Sequence, residues 1–290
     1  MREAADDGSM STLPTNYEGS SAEEKLAWLW ERIMSERYAE LPPNASGVES
    51  AKLLLVPHNR KTLEHVSDEL PEGRKKLIHS IGSVARVRVR VLDSHGYTGL
   101  FARDAVGLLR MSDANGGVKD PSCALKFTID GQPSRNLFAN KAVIDDNERP
   151  HPLSLPLSSS TPDPEEVTLA VAEKAFDAAA KAVEAGRWRA TYQPLFLLST
   201  LTQRGEAVER GQAPDRVDWH PSDAAREACP DKGDWRLGFA EIPVGTVLYQ
   251  LRVASVPEAE SVPWAELVLE TPLVASRYGD QSLFFQHQFR

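Results

Sequence analysis

The chain has 290 residues, of which 41% are hydrophobic and 26% are charged, and it carries a formal net charge of -9. This composition is typical of a soluble globular protein whose core needs no disulfide or metal staples. The acidic net charge argues against a broad surface for binding nucleic acid. The sequence contains no run of about eighteen apolar residues, so no membrane-spanning helix is predicted. Cys123 and Cys229 form no CxxC motif. Together with the lack of a signal-peptide pattern, they predict a reducing, cytoplasmic location.

The N-terminal part of the chain is predicted to be helical. Residues 1–19 are polar and are expected to be disordered. Ser20 or Ser21 can cap a first helix, because acidic residues follow in its first turn and apolar residues recur at helical spacing. Two prolines end that helix, and a second, weaker helix is predicted over 61–69. Together these helices make up the segment 20–72.

Residues 74–145 change to the periodicity of strands. Valines between positions 84 and 91 alternate with Arg86, Arg88 and Arg90, which predicts a strand with one buried face. The arginines on its other face are expected to pair with carboxylates rather than with phosphate. Asp130-Gly131 is a hairpin signal, so the segment is predicted to be an antiparallel meander. Its further strands are predicted over 98–102, 106–111, 123–129 and 136–144.

Residues 150–230 are predicted to be a connection with a helical insertion. A long helix is expected to follow the Pro- and Ser-rich start of this segment and to end at Gly186. The second barrel half is then predicted over 235–290, with strands over 235–240, 246–254, 265–270 and 283–289. The order of helices and strands predicts an α+β fold. It is a single domain over 20–290 whose antiparallel β-barrel of about eight strands is interrupted by the helical insertion.

Four segments of the chain resemble catalases, and they occur in the order in which catalases carry them. The segment with the distal histidine is matched by RKKLIHSIGSVARVRVRV at 74–91, and the strand with the Arg-Phe-Ser pattern by GLLRMSD at 107–113. The stretch leading to the distal asparagine is matched by CALKFTIDGQPSRNLFANKAV at 123–143. The last barrel strands are more loosely matched by AELVLETPLVASRYGDQSLFF at 265–285. The resemblance implies a catalase-like barrel and a bound haem.

The resemblance also assigns roles to residues that are expected to converge at one site in the barrel. His79 matches the distal histidine, Ser112 the serine that orients it, and Asn140 the distal asparagine. Arg110 matches an arginine that contacts a haem propionate. A neutral imidazole can take a proton from bound peroxide and return it to the far oxygen, while an amide stabilises the developing charge.

The proximal side of the haem departs from the catalase pattern. Catalases ligate the iron through a tyrosine in an Arg-Leu-Phe-Ser-Tyr pattern after the last barrel strand, and SLFFQHQFR at 282–290 lacks it. Tyr278 is the nearest tyrosine and is the cofactor-binding candidate, with His287 as an alternative iron ligand. His95, in a predicted turn, is the alternative distal histidine. No other metal site is predicted.

Two functions therefore remain open. The first is a haem-dependent oxidoreductase, related to peroxidases, that acts on hydrogen peroxide or on an organic or fatty acid hydroperoxide. The second is a haem-free catalase-fold protein that binds a small lipid-like ligand or a partner without catalysis. Because the assembly arms of catalases are lacking or reduced, a monomer or dimer is expected.

Overall fold

The computed structural model describes residues 19–42, 81–112, 121–141, 143–144, 181, 184–186, 189–190, 197–200, 213–229, 234–256, 259–283 and 285. The strands are β1 (Gly82–Val91), β2 (Ala105–Ser112), β3 (Ser122–Ile129), β4 (Gln132–Lys141), β5 (Val143–Ile144), β6 (Arg189–Ala190), β7 (Leu197–Thr200), β8 (Arg216–Pro221), β9 (Val247–Ala254) and β10 (Val262–Leu269). The helices are α1 (Ala22–Ser35), α2 (Asp223–Glu227) and α3 (Trp235–Ala240), with a 3-10 turn at Gly99–Phe101 and a π-helical turn at Tyr278–Ser282.

Eight of the strands close into an antiparallel barrel. Their order around the barrel is β1-β10-β9-β8-β7-β4-β3-β2, and β5 pairs separately with β6. β1 closes the ring because it is hydrogen-bonded to β10 on one side and to β2 on the other. In the part of the chain that the structure describes, every barrel strand has a paired neighbour on both sides, and the β4–β7 pairing is limited to Asn140 and Lys141. The prediction of an antiparallel barrel of about eight strands is confirmed.

The interior of the barrel is filled with apolar side chains. Alternate residues of every long strand point inward, so β2 contributes Leu109 and Met111 to the core. Trp219 and Tyr249 meet edge to face at 5.3 Å between ring centroids, and both are fully buried. Eight strands enclose a space that side chains alone can fill. This interior is therefore a packed core.

Helix α1 covers the outer face of β1 and β2. Ser21 caps it through a complete capping box, in which its hydroxyl accepts from the Glu24 amide and the Glu24 carboxylate accepts from the Ser21 amide. The predicted cap is confirmed. The helix ends at Ser35, before the prolines, because Arg37 instead forms a β-bridge with Ser276 in the C-terminal segment. This second, outer core contains Leu26, Leu29, Ile33, Val84, Val106, Leu108 and Leu283.

The arginines of β1 pair with carboxylates, as the alternation predicted. Their ion pairs are Arg86–Glu23 (3.3 Å), Arg88–Glu270 (2.7 Å) and Arg90–Glu266. All three lie on the outer face of the barrel, because the valines between them fill its interior. The Asp130-Gly131 hairpin between β3 and β4 is also confirmed, and Gly131 adopts the left-handed φ of +57° that such a turn requires.

Two predicted strands are wrong. Residues 235–240 form helix α3, capped by Asp234, because Trp235 and Phe239 stand four residues apart and bury the same helical face. Residues 98–102 contain a 3-10 turn, since Gly99 takes a φ of +60° that ends extended structure. The turn places Phe101 against Trp264 at 4.8 Å between ring centroids, and the Trp264 indole donates to the Phe101 carbonyl.

The segment 150–230 was predicted to be a connection with a helical insertion, yet it contains two barrel strands. β7 and β8 both lie in it and link β4 to β9. The proline and the charged residues of RVDWHP make β8 difficult to predict as a strand. Its Arg216 and Asp218 form an ion pair of 2.7 Å on the outer face of the barrel. Val217 and Trp219 fill the interior between them. The second half of the barrel therefore begins well before residue 235.

Several predictions fall wholly or partly outside the described residues. These are the disordered N-terminus, the helix over 61–69 and most of the helical insertion. Gly186 is described, and its φ of +68° fits the predicted helix end. Leu283 follows the π-helical turn and belongs to no strand, whereas most of the strand predicted over 283–289 is undescribed. Across the described ranges, none of the helices has the length and apolar character needed to cross a membrane.

Candidate functional site

The residues that resemble the distal side of catalase lie at one end of β1, β2, β3 and β4. Gly82, the first residue of β1, pairs with Ser112, which in turn pairs with Ser122 on β3. Because Cys123 lies opposite Ala139, Asn140 continues this row on β4. Neighbouring strands are about 4.8 Å apart, so the backbones of Ser112 and Asn140 are roughly 10 Å apart, with β3 between them.

His79 lies outside the described residues. It precedes Gly82, the first residue of β1, by three positions in the sequence. The structure brings the backbones of Ser112 and Asn140 to the same end of the barrel. Asn140 is described only through its backbone, and its pairing partner on β7 is Leu198.

Arg110 lies on the outer face of β2 and is buried. It alternates with the interior residues Leu109 and Met111, and its exposed fraction is 3%. Its Nη2 donates to Oδ1 of Asp280 at 3.0 Å, and Asp280 is only 4% exposed. The backbone amide of Gly82 donates to the same oxygen at 2.9 Å. Asp280 therefore ties the π-helical turn to the first residue of β1 and to β2.

Tyr38 completes this polar cluster. Its hydroxyl is hydrogen-bonded to the Asp280 carboxylate. Burial, followed by the negative charge of Asp280, raises the pKa of Tyr38 to about 12. The arginine, the carboxylate and the phenol form an internal network that holds the segment after β10 against the barrel.

Tyr278, the candidate iron ligand, packs into the outer core. Its ring meets Trp28 of α1 edge to face at 6.5 Å between centroids. Burial raises the pKa of its phenol, which disfavours the tyrosinate form that iron binds. Arg32 on α1 acts in the opposite direction, and Glu36 adds to the increase. The phenol therefore belongs to the packing between α1 and the π-helical turn.

His95 is a turn residue, as its sequence context indicated. It has a φ of +50° and precedes Gly96 at +80°, and its Nε2 lies 2.5 Å from the carbonyl oxygen of Pro263. That position is on the loop after β1, at the end opposite Gly82. His287, the alternative iron ligand, is outside the described residues.

No family model, curated protein or solved structure matches this chain. Among the residues that the structure describes, no group of three or more His, Cys, Asp or Glu side chains is placed to hold a metal ion.

The geometry of the site does not fit haem on the described side. The guanidinium expected to receive a propionate is 3.0 Å from an internal carboxylate, and both groups are almost completely buried. The phenol expected to ligate iron is packed against a helix. Both cofactor-binding candidates are thus used to fasten the C-terminal segment to the barrel.

Sequence reasoning did not identify Asp280 or Lys126. Asp280 lies 170 residues from Arg110, and a single acid in RYGDQS gives no local signal. Lys126 stands opposite Asn136 on the outer face of β3 and β4, and burial lowers its pKa to about 8. Alternation along β3 predicts that Lys126 lies on a solvated face. The lowered pKa of Lys126 arises only because that face is covered in the folded protein.

The Cys123 thiol is buried in the interior and is weakly acidic. Cys123 is 3% exposed, and its sulfur lies 3.6 Å from the hydroxyl of Tyr249. Burial raises the pKa of the thiol to about 12, and the Tyr249 hydroxyl offsets this only in part. A thiol in that state is inert as a nucleophile at neutral pH.

Proposed function

We propose that this chain is a catalase-like barrel protein without a resident haem, which acts by binding a ligand or partner. The observation that carries the proposal is the buried Arg110–Asp280 ion pair. A haem propionate that took the place of Asp280 would break its contacts with both Arg110 and the Gly82 amide. A displaced carboxylate that stayed buried without a partner would cost several kcal/mol, on the order of 3–5. The catalase-like assignment itself rests on the four sequence segments and on their positions along an antiparallel barrel.

The absorption spectrum tests this proposal. The full chain is purified from haem-supplemented cells and is also titrated with haemin. We expect no stoichiometric Soret band in either sample. A stoichiometric band that disappears in Tyr278→Phe but survives in Tyr97→Phe would overturn the proposal. Tyr97 is a suitable control because it packs against Phe101 beside the loop that follows β1, away from the π-helical turn.

A second candidate is an enzyme that acts on hydrogen peroxide or a fatty acid hydroperoxide. It is favoured by the row that brings the backbones of Ser112 and Asn140 to the end of the barrel where β1 begins, since His79 precedes β1 by three positions in the sequence. In that enzyme the His79 imidazole takes the hydroperoxide proton, and Ser112 orients the ring. Asn140 donates to the developing negative charge.

Turnover separates the second candidate from the first. Hydroperoxide consumption that falls by a hundredfold or more in His79→Ala, on the order expected for loss of a general acid–base, would support the enzyme. His95→Ala is the matched control and should leave the rate unchanged. Consumption that is equal in both variants, or indistinguishable from buffer, would rule the enzyme out.

A further inference from the structure

Lys126 is a shielded amine without a carboxylate partner among the described residues. It projects from the outer face of β3, and its Nζ donates to Oδ1 of Asn136, its cross-strand neighbour, at 3.2 Å. On its other side the Nζ lies 5.5 Å from the centroid of the Phe285 ring. An amide oxygen and a ring face stabilise an ammonium far less than an anion or bulk water does.

The neutral amine is therefore more populated at Lys126 than at an ordinary lysine. Desolvation lowers its pKa from 10.5 to about 8. At pH 7.5 about a quarter of such an amine is unprotonated, against about one part in a thousand for an ordinary lysine. Only the unprotonated amine has the lone pair needed for nucleophilic attack, and desolvated lysines serve in this way.

Apolar rings surround this amine. Phe138 stands two residues after Asn136 on the same face of β4, and its ring meets Phe285 edge to face at 6.2 Å. The pair forms an aromatic edge beside the Nζ of Lys126. Phe138 and Phe285 are half-buried, so their rings offer apolar surface that is reachable from outside.

We propose that Lys126 captures aldehydes that carry a hydrocarbon chain, by forming an imine on the outer face of β3. The amine lone pair attacks the carbonyl carbon, and the carbonyl π electrons move to oxygen. The resulting carbinolamine loses water, whose hydrogens come from the amine, to leave a C=N bond. No oxidant or reductant is consumed. Phe138 and Phe285 hold the hydrocarbon chain, and Asn136 orients the amine.

Reductive trapping tests the inference. The full chain is incubated at pH 7.5 with hexanal and cyanoborohydride, which reduces the imine to a stable amine, and alkylation is measured at each lysine by peptide mass spectrometry. Lys181 is the internal reference, because it is exposed. We expect Lys126 to be alkylated about tenfold faster, since its larger neutral fraction outweighs its lower basicity. Equal or slower alkylation of Lys126 would overturn the proposal.

Two comparisons separate a binding site from mere reactivity. Formaldehyde has no chain to seat, so the ratio of Lys126 to Lys181 should fall by at least severalfold when it replaces hexanal. An unchanged ratio would refute the aromatic seat. Lys126→Arg should abolish alkylation at this position alone.

Phe285→Ala provides the final control. It removes the ring that shields the amine, so the pH of half-maximal alkylation should rise from about 8 toward the ordinary value of 10.5. The preference for hexanal should also decrease. Faster alkylation of this variant at pH 7.5 would show that the ring only blocks access, and this would overturn the proposal. These readouts do not depend on haem, so the inference can fail while the proposed function stands.

Discussion

The Asp280→Asn variant is the most direct test of how the C-terminal segment is held. Asparagine keeps the shape of the side chain and an oxygen that can accept from the Gly82 amide, but it removes the negative charge. The guanidinium of Arg110 would then face a neutral amide at an exposed fraction of 3%. We expect the free energy of unfolding to fall by about 3–5 kcal/mol, as is typical when one member of a buried ion pair is removed.

The distance between the two groups supports this magnitude. At 3.0 Å, two unit charges attract by about 5 kcal/mol for an effective dielectric constant of about 20. Desolvation of both charges consumes much of that attraction in the native protein. The variant loses the attraction and keeps the desolvation cost of Arg110, while only the desolvation cost of the carboxylate is relieved, so most of the attraction appears as lost stability.

Urea denaturation followed by tryptophan fluorescence measures the loss. Asp223→Asn is the matched control, because Asp223 pairs with Arg226 on an exposed helix with a side-chain exposure of 92%. Its stability should change by less than about 0.5 kcal/mol. The double variant Arg110→Met/Asp280→Asn should recover most of the loss, because it leaves no buried charge and keeps an acceptor for the Gly82 amide.

Tyr38 gives an independent readout of the same carboxylate. Loss of the Asp280 charge should lower the pKa of Tyr38 from about 12 toward 10, and ultraviolet titration of the phenol detects the shift. A cost below about 1 kcal/mol for Asp280→Asn, or a double variant as unstable as the single one, would show that the charge of Asp280 does not hold the C-terminal segment.

Three further predictions concern the rest of the barrel. Lys126→Met should stabilise the protein by up to about 3 kcal/mol below pH 8. This gain in the free energy of unfolding should decrease as the pH rises toward 10.5, because Lys126 binds its proton more tightly in the unfolded chain than in the folded one. Chemical denaturation between pH 7 and about 10.5 measures whether the gain decreases with pH as expected. Gly107→Ala should cost about 1–3 kcal/mol, because its Cβ would stand 2.3 Å from the Lys126 carbonyl oxygen, whereas Gly19→Ala, which meets nothing, should be nearly neutral in thermal melts. Arg88→Ala should cost less than about 1 kcal/mol, because its pair with Glu270 is partly exposed, and melts at about 1 M salt should reduce the difference.

Sequence patterns determined the local structure of this protein. The serine before α1 and the glutamate three residues later specify a helix start, because a capping box is satisfied within one turn. Valine–arginine alternation specifies β1 and its two faces, and Asp130-Gly131 specifies a hairpin. Each of these signals involves residues close in sequence, so each can be interpreted without knowing the rest of the fold.

Local sequence patterns also misled at two places. α3 was predicted as a strand because its short apolar run fits either period, and only the shared burial of Trp235 and Phe239 distinguishes them. β8 was overlooked because its Arg216 and Asp218 gave it a polar composition. Their mutual ion pair makes the strand compatible with burial, and that pairing becomes visible only once the strand lies in the barrel.

Tertiary structure alone decided the state of the candidate site. In the sequence, Arg110 is a residue of the type that binds a haem propionate. In the fold, closure of the barrel and the path of the C-terminal segment place Asp280, 170 residues away in the sequence, beside it. Likewise, a lysine on an outward-facing strand position is ordinary until Phe285 covers it. Charge and nucleophilicity depend on desolvation and on distant partners, which local periodicity does not encode.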